Sequence, residues 1–244
     1  MSKLAEAIRR SQRVESAPMG FGAVRTATKP SMLVGYYGAA GGVEAAVAAG
    51  AELIIVEGDL SDDQAKKASG AAGDLSVGVA AKSLGVAKVR EMHEAGIDFI
   101  AFEPDKTPSS ALLNEDISYV MVLPHAPEEL FLRTLDTLTL EALLLTSVGS
   151  GMTVSQQIEL NRIGMLARKP LICVVDSKAS KEDLECLRAA GVTALLVSKA
   201  EDLSQLKETV AVLPPKRKPR DDQRTVVSLP RSAAVHEHDD DEDE

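Results

Sequence analysis

The chain has 244 residues, of which 45% are hydrophobic and 26% charged, enough apolar material for a full core in one large domain or two small ones. Its formal net charge of −10 is uneven, because residues 214–244 hold six Lys or Arg against nine Asp or Glu. This balance argues against a nucleic-acid partner. No stretch approaches the roughly 18 uncharged apolar residues of a membrane span, and Met1–Arg13 lacks the continuous apolar run of a secretory leader, so a cytoplasmic protein with no membrane partner is expected.

Residues 2–13 read as a short amphipathic helix, and residues 14–30 as a connector punctuated by Pro18, Gly20, Gly22 and Pro30. Strands are predicted at 32–37, 52–57, 75–81, 97–102, 117–123, 141–146, 171–175 and 194–197. A helix or helical turn follows each one. The clearest starts are Ser61-Asp-Asp-Gln64 and Ser180-Lys-Glu-Asp183, in which an N-cap hydroxyl is followed by acids that suit the helix dipole. The clearest ends are Ala49-Gly50, Ala95-Gly96 and Ala190-Gly191, each leading straight into an apolar strand.

Strands alternating with helices point to a parallel α/β protein, and this count points to a (β/α)8 TIM barrel spanning residues 30–213. An open doubly wound sheet is the rival, since strand order is not written in a single sequence. The expected organisation is an N-terminal helix and connector (1–29), the barrel (30–213) and a disordered charged tail (214–244). Within the tail, Pro214-Pro215-Lys-Arg-Lys is basic and His236-Glu-His-Asp-Asp-Asp is acidic, so it suits a handle for a protein partner better than a core, and no metal site is expected because its His and carboxylates are not preorganised. Cys173 and Cys186 sit in apolar patterns and read as reduced thiols, not a disulfide framework.

In either fold, ligands gather at the C-terminal ends of the strands. Those ends carry Tyr36 and Tyr37, Glu57 and Asp59, Lys82, Glu103 with Asp105 and Lys106, His125, Thr146 and Ser147, Asp176 with Lys178, and Ser198 with Lys199. Strand beginnings carry fewer polar groups, chiefly Glu52, Asp98 and Glu141. Alternation places Ser76, Gly78, Ala80 and Lys82 on the inner face of the third strand, and Gly35 and Tyr37 on that of the first. Lys82 then suits a Schiff-base nucleophile or general acid, with Glu57, Glu103, His125 and Asp176 as acid–base partners. Lys178, Ser198 and Lys199 suit an anion. Against this stands the simpler reading of Lys82 as one half of a structural ion pair. The run Gly35-x-x-Gly38-x-x-Gly41-Gly42 fits a tight turn or an anion cradle, but not the dinucleotide fingerprint.

Through Glu52-Leu-Ile-Ile-Val-Glu-Gly58, Lys82 and the Ala-Gly junctions, the chain resembles the ribulose-phosphate-binding barrels and small aldolases. The resemblance implies a lyase, aldolase or isomerase acting beside the carbonyl of a small anionic metabolite. A non-catalytic barrel that binds a metabolite or a protein is the alternative. Ala17-Pro-Met-Gly20 resembles a motif of flavin-binding barrels, which keeps a nucleotide- or flavin-binding protein as a further alternative. The sequence itself names no cofactor.

Overall fold

The computed structural model describes residues 2–12, 32–148 and 151–214. The expected tail, with its His and carboxylates, and the Ala17–Gly20 motif therefore lie outside the described residues, save Pro214. The strands are β1 (Leu33–Gly38), β2 (Leu53–Glu57), β3 (Ser76–Ala81), β4 (Phe99–Phe102), β5 (Ser118–Val122), β6 (Ala142–Val148), β7 (Leu171–Val175) and β8 (Val192–Val197). They pair in chain order, all parallel, and β8 closes back on β1 through Leu33 against Ala194 and Tyr36 against Val197. Closure excludes the open sheet and leaves no free strand edge.

The helices are α1 (Lys3–Gln12), α2 (Val43–Ala48), α3 (Asp62–Ala72), α4 (Val86–Glu94), α5 (Glu129–Thr134), α6 (Val154–Ala167), α7 (Lys181–Ala189) and α8 (Asp202–Ala211). Only short 3-10 turns follow β4, at Pro104–Lys106 and Ser109–Leu113. The caps expected at Ser61 and Ser180 form as reciprocal capping boxes with Gln64 and Asp183, and Thr153 builds a third with Gln156 at the start of α6. Each satisfies two backbone donors that a helix start would otherwise leave unpaired. At the Ala-Gly junctions, Gly50, Gly96 and Gly191 take φ of 82°, 84° and 92°, a region that a side chain makes costly.

Alternation along the strands divides the apolar residues into two cores. Val34, Ile54, Val79, Ile100, Leu143 and Leu195 face the helices. Leu53, Ile55, Phe99, Val120, Leu144 and Leu196 fill the barrel interior. The interior is crowded enough to dictate glycine. A Cβ on Gly35 would lie 2.3 Å from the Leu53 carbonyl oxygen, and one on Gly78 would lie 2.2 Å from the Phe99 ring. Small residues on one strand therefore make room for bulky ones on the next.

The interior is sealed at its N-terminal end by α1. Leu4 and Ile8 are buried in the inner core, and the Lys3 and Leu4 amides donate to the Asp98 carboxylate at 2.9 and 2.8 Å. The Ser76 hydroxyl donates to the same carboxylate at 2.6 Å. Asp98, expected only as a charge at a strand beginning, thus accepts the unpaired donors of a helix start. Outside the sheet, Tyr119 packs edge-on to Phe102 and donates its hydroxyl to the Ala111 carbonyl at 2.7 Å. Cys173 is fully buried, its thiol pushed up to about 12 by desolvation, and both cysteines are free. No helix among the described residues is long and apolar enough to cross a membrane.

Candidate active site at the barrel mouth

The C-terminal ends of β1 to β6 surround a concavity of about 300 Å³. Its polar lining comes from Tyr37, Glu57, Lys82, Glu103, Asp105 and Thr146, and its floor from Ala80, Ala101 and Val122. The small floor residues are the reason a hollow exists here: Ala80 and Ala101 stop short of the axis that Phe99 fills one layer below.

Tyr37 is half-buried and packs against the inner core, with its phenol held above the usual range first by burial and then by the negative charges of Glu57 and Glu103. A phenol in this position stays protonated at neutral pH and can donate a hydrogen bond. Glu103 is half-buried and pairs with the Lys106 ammonium at 2.7 Å, while Glu57 is exposed. Lys82 is anchored by its backbone, whose amide donates to Asp59 Oδ1 at 3.2 Å. Its ammonium forms no ion pair or hydrogen bond among the described residues, so the structural-pair reading does not hold there. It is solvent-exposed, and no dry pocket encloses it.

All the expected site residues stand on one rim, but the concavity gathers only Glu57, Lys82 and Glu103 of them. His125 is exposed in the loop after β5, and Asp176 is exposed after β7, accepting from the Lys178 amide at 3.1 Å to shape its own turn. Lys178, Ser198 and Lys199 are exposed on the β7 and β8 side, outside the lining. Tyr37, Asp105 and Thr146 join the site instead. Alternation had already turned Tyr37 inward, and the same rule carried two residues past the inner Leu144 reaches Thr146.

The glycine-rich turn after β1 has a different use from an anion cradle. The Tyr36 ring lies across it and donates to the Ala39 carbonyl at 3.1 Å, and a Cβ on Gly38 or Gly42 would come within 2.5 or 2.2 Å of the Tyr36 hydroxyl. These two glycines are small so that an outward-facing tyrosine can seat. Among the described residues no group of three or more His, Cys, Asp or Glu is placed to hold a metal ion.

No family model and no curated protein sequence matches the chain. Solved structures do. Phosphoribosyl anthranilate isomerase from Thermus thermophilus superposes with a TM-score of 0.57 at 17% identity, covering 75% of this chain and 100% of that one. Tryptophan synthase from M. tuberculosis gives 0.60 at 14% identity, with 86% and 98% covered. Orotidine 5'-monophosphate decarboxylase from Methanocaldococcus jannaschii gives 0.52 at 12% identity, with 72% and 98% covered. At such identities the likeness is one of fold, and the chain is a (β/α)8 barrel without an assigned family.

Proposed function

We propose that the mouth between β1 and β6 is the active site of an enzyme that moves a proton, or makes or breaks a carbon bond, next to the carbonyl of a small metabolite. The observation that supports this reading is the convergence of Tyr37, Glu57, Lys82 and Glu103 on one concavity at the strand C-termini, with the Tyr37 phenol kept protonated by burial and by the two carboxylates. Tyr37 donates to the carbonyl oxygen, which gains negative charge as the neighbouring carbon loses its proton. Glu57 or Glu103 receives that proton. Lys82, unpaired beside them, serves as a second donor or condenses with the carbonyl as a Schiff base. Lys178, Ser198 and Lys199 hold an anionic end of the metabolite on the β7 and β8 side, away from the carboxylates. His125 and Asp176 flank the site and are assigned no step.

The experiment is solvent exchange. A panel of small keto acids and sugar aldehydes is incubated with the protein in D2O, and deuterium uptake beside the carbonyl is followed by NMR. The expected result is catalysed exchange with some panel members, reduced about 10²- to 10⁴-fold in Glu57→Gln or Glu103→Gln and also lowered in Tyr37→Phe. Borohydride added to the same mixtures tests for a covalent adduct at Lys82 by mass. Absence of both exchange and adduct across the panel would overturn the enzymatic reading and leave the mouth as a binding surface.

A further inference from the structure

An interaction surface lies on the outer face of α6, none of whose residues lines the mouth. Leu160, Ile163 and Ala167 are buried against the barrel, as the core face of an amphipathic helix should be. The opposite face is also largely apolar. At 100° per residue, Val154, Ile158, Asn161 and Met165 form a single outward stripe, and the three apolar members are 73%, 63% and 76% exposed. Leu130, 72% exposed, stands on the neighbouring α5, whose approach is fixed by the Arg162 guanidinium donating to the Pro127 carbonyl at 2.7 Å. A helix that is apolar on both faces is built to be covered twice.

We propose that α6 is the seam of a two-fold homodimer, packed antiparallel on α6 of a second copy. The argument is electrostatic as well as apolar. The chain carries a net charge of −10, so two copies approach only where charge is sparse or complementary. The fourteen residues of α6 hold two charges, Glu159 and Arg162, and these neutralise each other at 2.6 Å. Beyond the C-terminal end stands the exposed Arg168, followed by Lys169, which is half-buried and donates to the Leu138 carbonyl at 3.2 Å. Beside the N-terminal end stands the first turn of α7, net acidic by one charge, where Asp183 accepts from the Gly151 and Met152 amides at 3.2 and 2.8 Å and Glu182 is exposed next to Lys181. Antiparallel pairing sets the basic end of each copy against the acidic end of the other, twice over.

The stripe is also its own complement. Centred between Ile158 and Asn161, the pairing puts Val154 against Met165 of the partner subunit at both ends. At Met165 the stripe runs into a hollow of about 390 Å³ between α6 and the end of α7, lined by Gly164, Arg168, Ala189 and Gly191, which gives the opposing chain room to seat. Such an isologous contact closes on itself and does not propagate.

The test is the solution mass of the full chain, measured by light scattering and sedimentation over a range of micromolar concentrations. The expected result is twice the chain mass, with a dimer dissociation constant raised about ten-fold or more by Ile158→Asp and by Met165→Asp. Both side chains are exposed, so circular dichroism should show an intact fold. Glu182→Arg should weaken the dimer, and combining it with Arg168→Glu should restore it, which a change in packing alone would not do. A monomer at every concentration, or a dimer indifferent to both aspartate variants, overturns the proposal.

Discussion

The backbone amide of Leu4 donates to Asp98 Oδ2 at 2.8 Å, joining the first turn of α1 to the residue that precedes β4. Removing that carboxylate strands two helix-start amides and the Ser76 hydroxyl at the sealed end of the barrel. Asp98→Ala is expected to destabilise by about 2–4 kcal/mol, since hydrogen bonds to a charged group contribute about 1.5–3 kcal/mol each and are not additive. Asp98→Asn should cost less because one acceptor oxygen remains. Urea denaturation of the two variants checks the order.

Gly78 and Phe99 are a matched pair across neighbouring strands. Gly78→Ala places a Cβ 2.2 Å from the Phe99 ring, so an overpacking loss of about 1–3 kcal/mol is expected. The double variant Gly78→Ala with Phe99→Leu should recover part of it. A thermal-unfolding cycle gives the coupling, and strictly additive losses would show that the two side chains do not compete for space.

Asp183 ties the loop before α6 to the start of α7. Its carboxyl is held below the ordinary 3.8, first by the Met152 amide and then by Ser180 and Gly151, against an opposing contribution from burial. A depressed folded pKa contributes stability that is fully present above the unfolded value, about 3.9, and disappears as pH falls through the folded one. Asp183→Asn should therefore lower the thermal midpoint at neutral pH. The gap to the unmodified protein should narrow below pH about 4. A gap that stays constant into strong acid would refute this assignment.

All three tyrosines, Tyr36, Tyr37 and Tyr119, are held above the usual phenol range, each chiefly by burial. Tyrosinate absorbance should consequently appear only above pH about 10, with stability falling as the phenols ionise, because a raised folded pKa favours the fold below the unfolded value. Glu57→Gln and Glu103→Gln should each lower one of the three midpoints. Tyr37→Phe should abolish that response, and an unchanged titration in both glutamine variants would separate Tyr37 from its carboxylates.

Local signals carried most of the fold. Ser61 and Ser180 marked helix starts with residues that bond their own backbone, and the glycines at 50, 96 and 191 marked helix ends, so neither needed knowledge of distant contacts. Period-two alternation turned Tyr37 inward and left Tyr36 outside, and it accounts for the inner face of β3. Illegible were relationships between residues far apart in the chain. Nothing near Asp98 says that α1, some ninety residues earlier, begins on its carboxylate. The glycines at 38 and 42 resemble an anion loop until the Tyr36 ring is placed across them. The site itself was half legible: strand ends located the rim, but which segment of it is hollow depends on Ala80, Ala101 and Phe99 in three dimensions.

The sealing of the barrel by α1 also orders events in the life of the chain. In the chain α1 precedes the barrel, yet it packs against β8, the last strand of the barrel, as well as against β1 and β3. Until β8 joins β1, Leu4 and Ile8 have no complete socket. Docking of α1 is therefore expected to await closure of the barrel, because its contact with β8 joins residues far apart in the chain. A fluorophore near Ser2 would report completed barrels and stay silent on partly formed ones, and a bulky fusion at that end would hold the newly made protein open at its base.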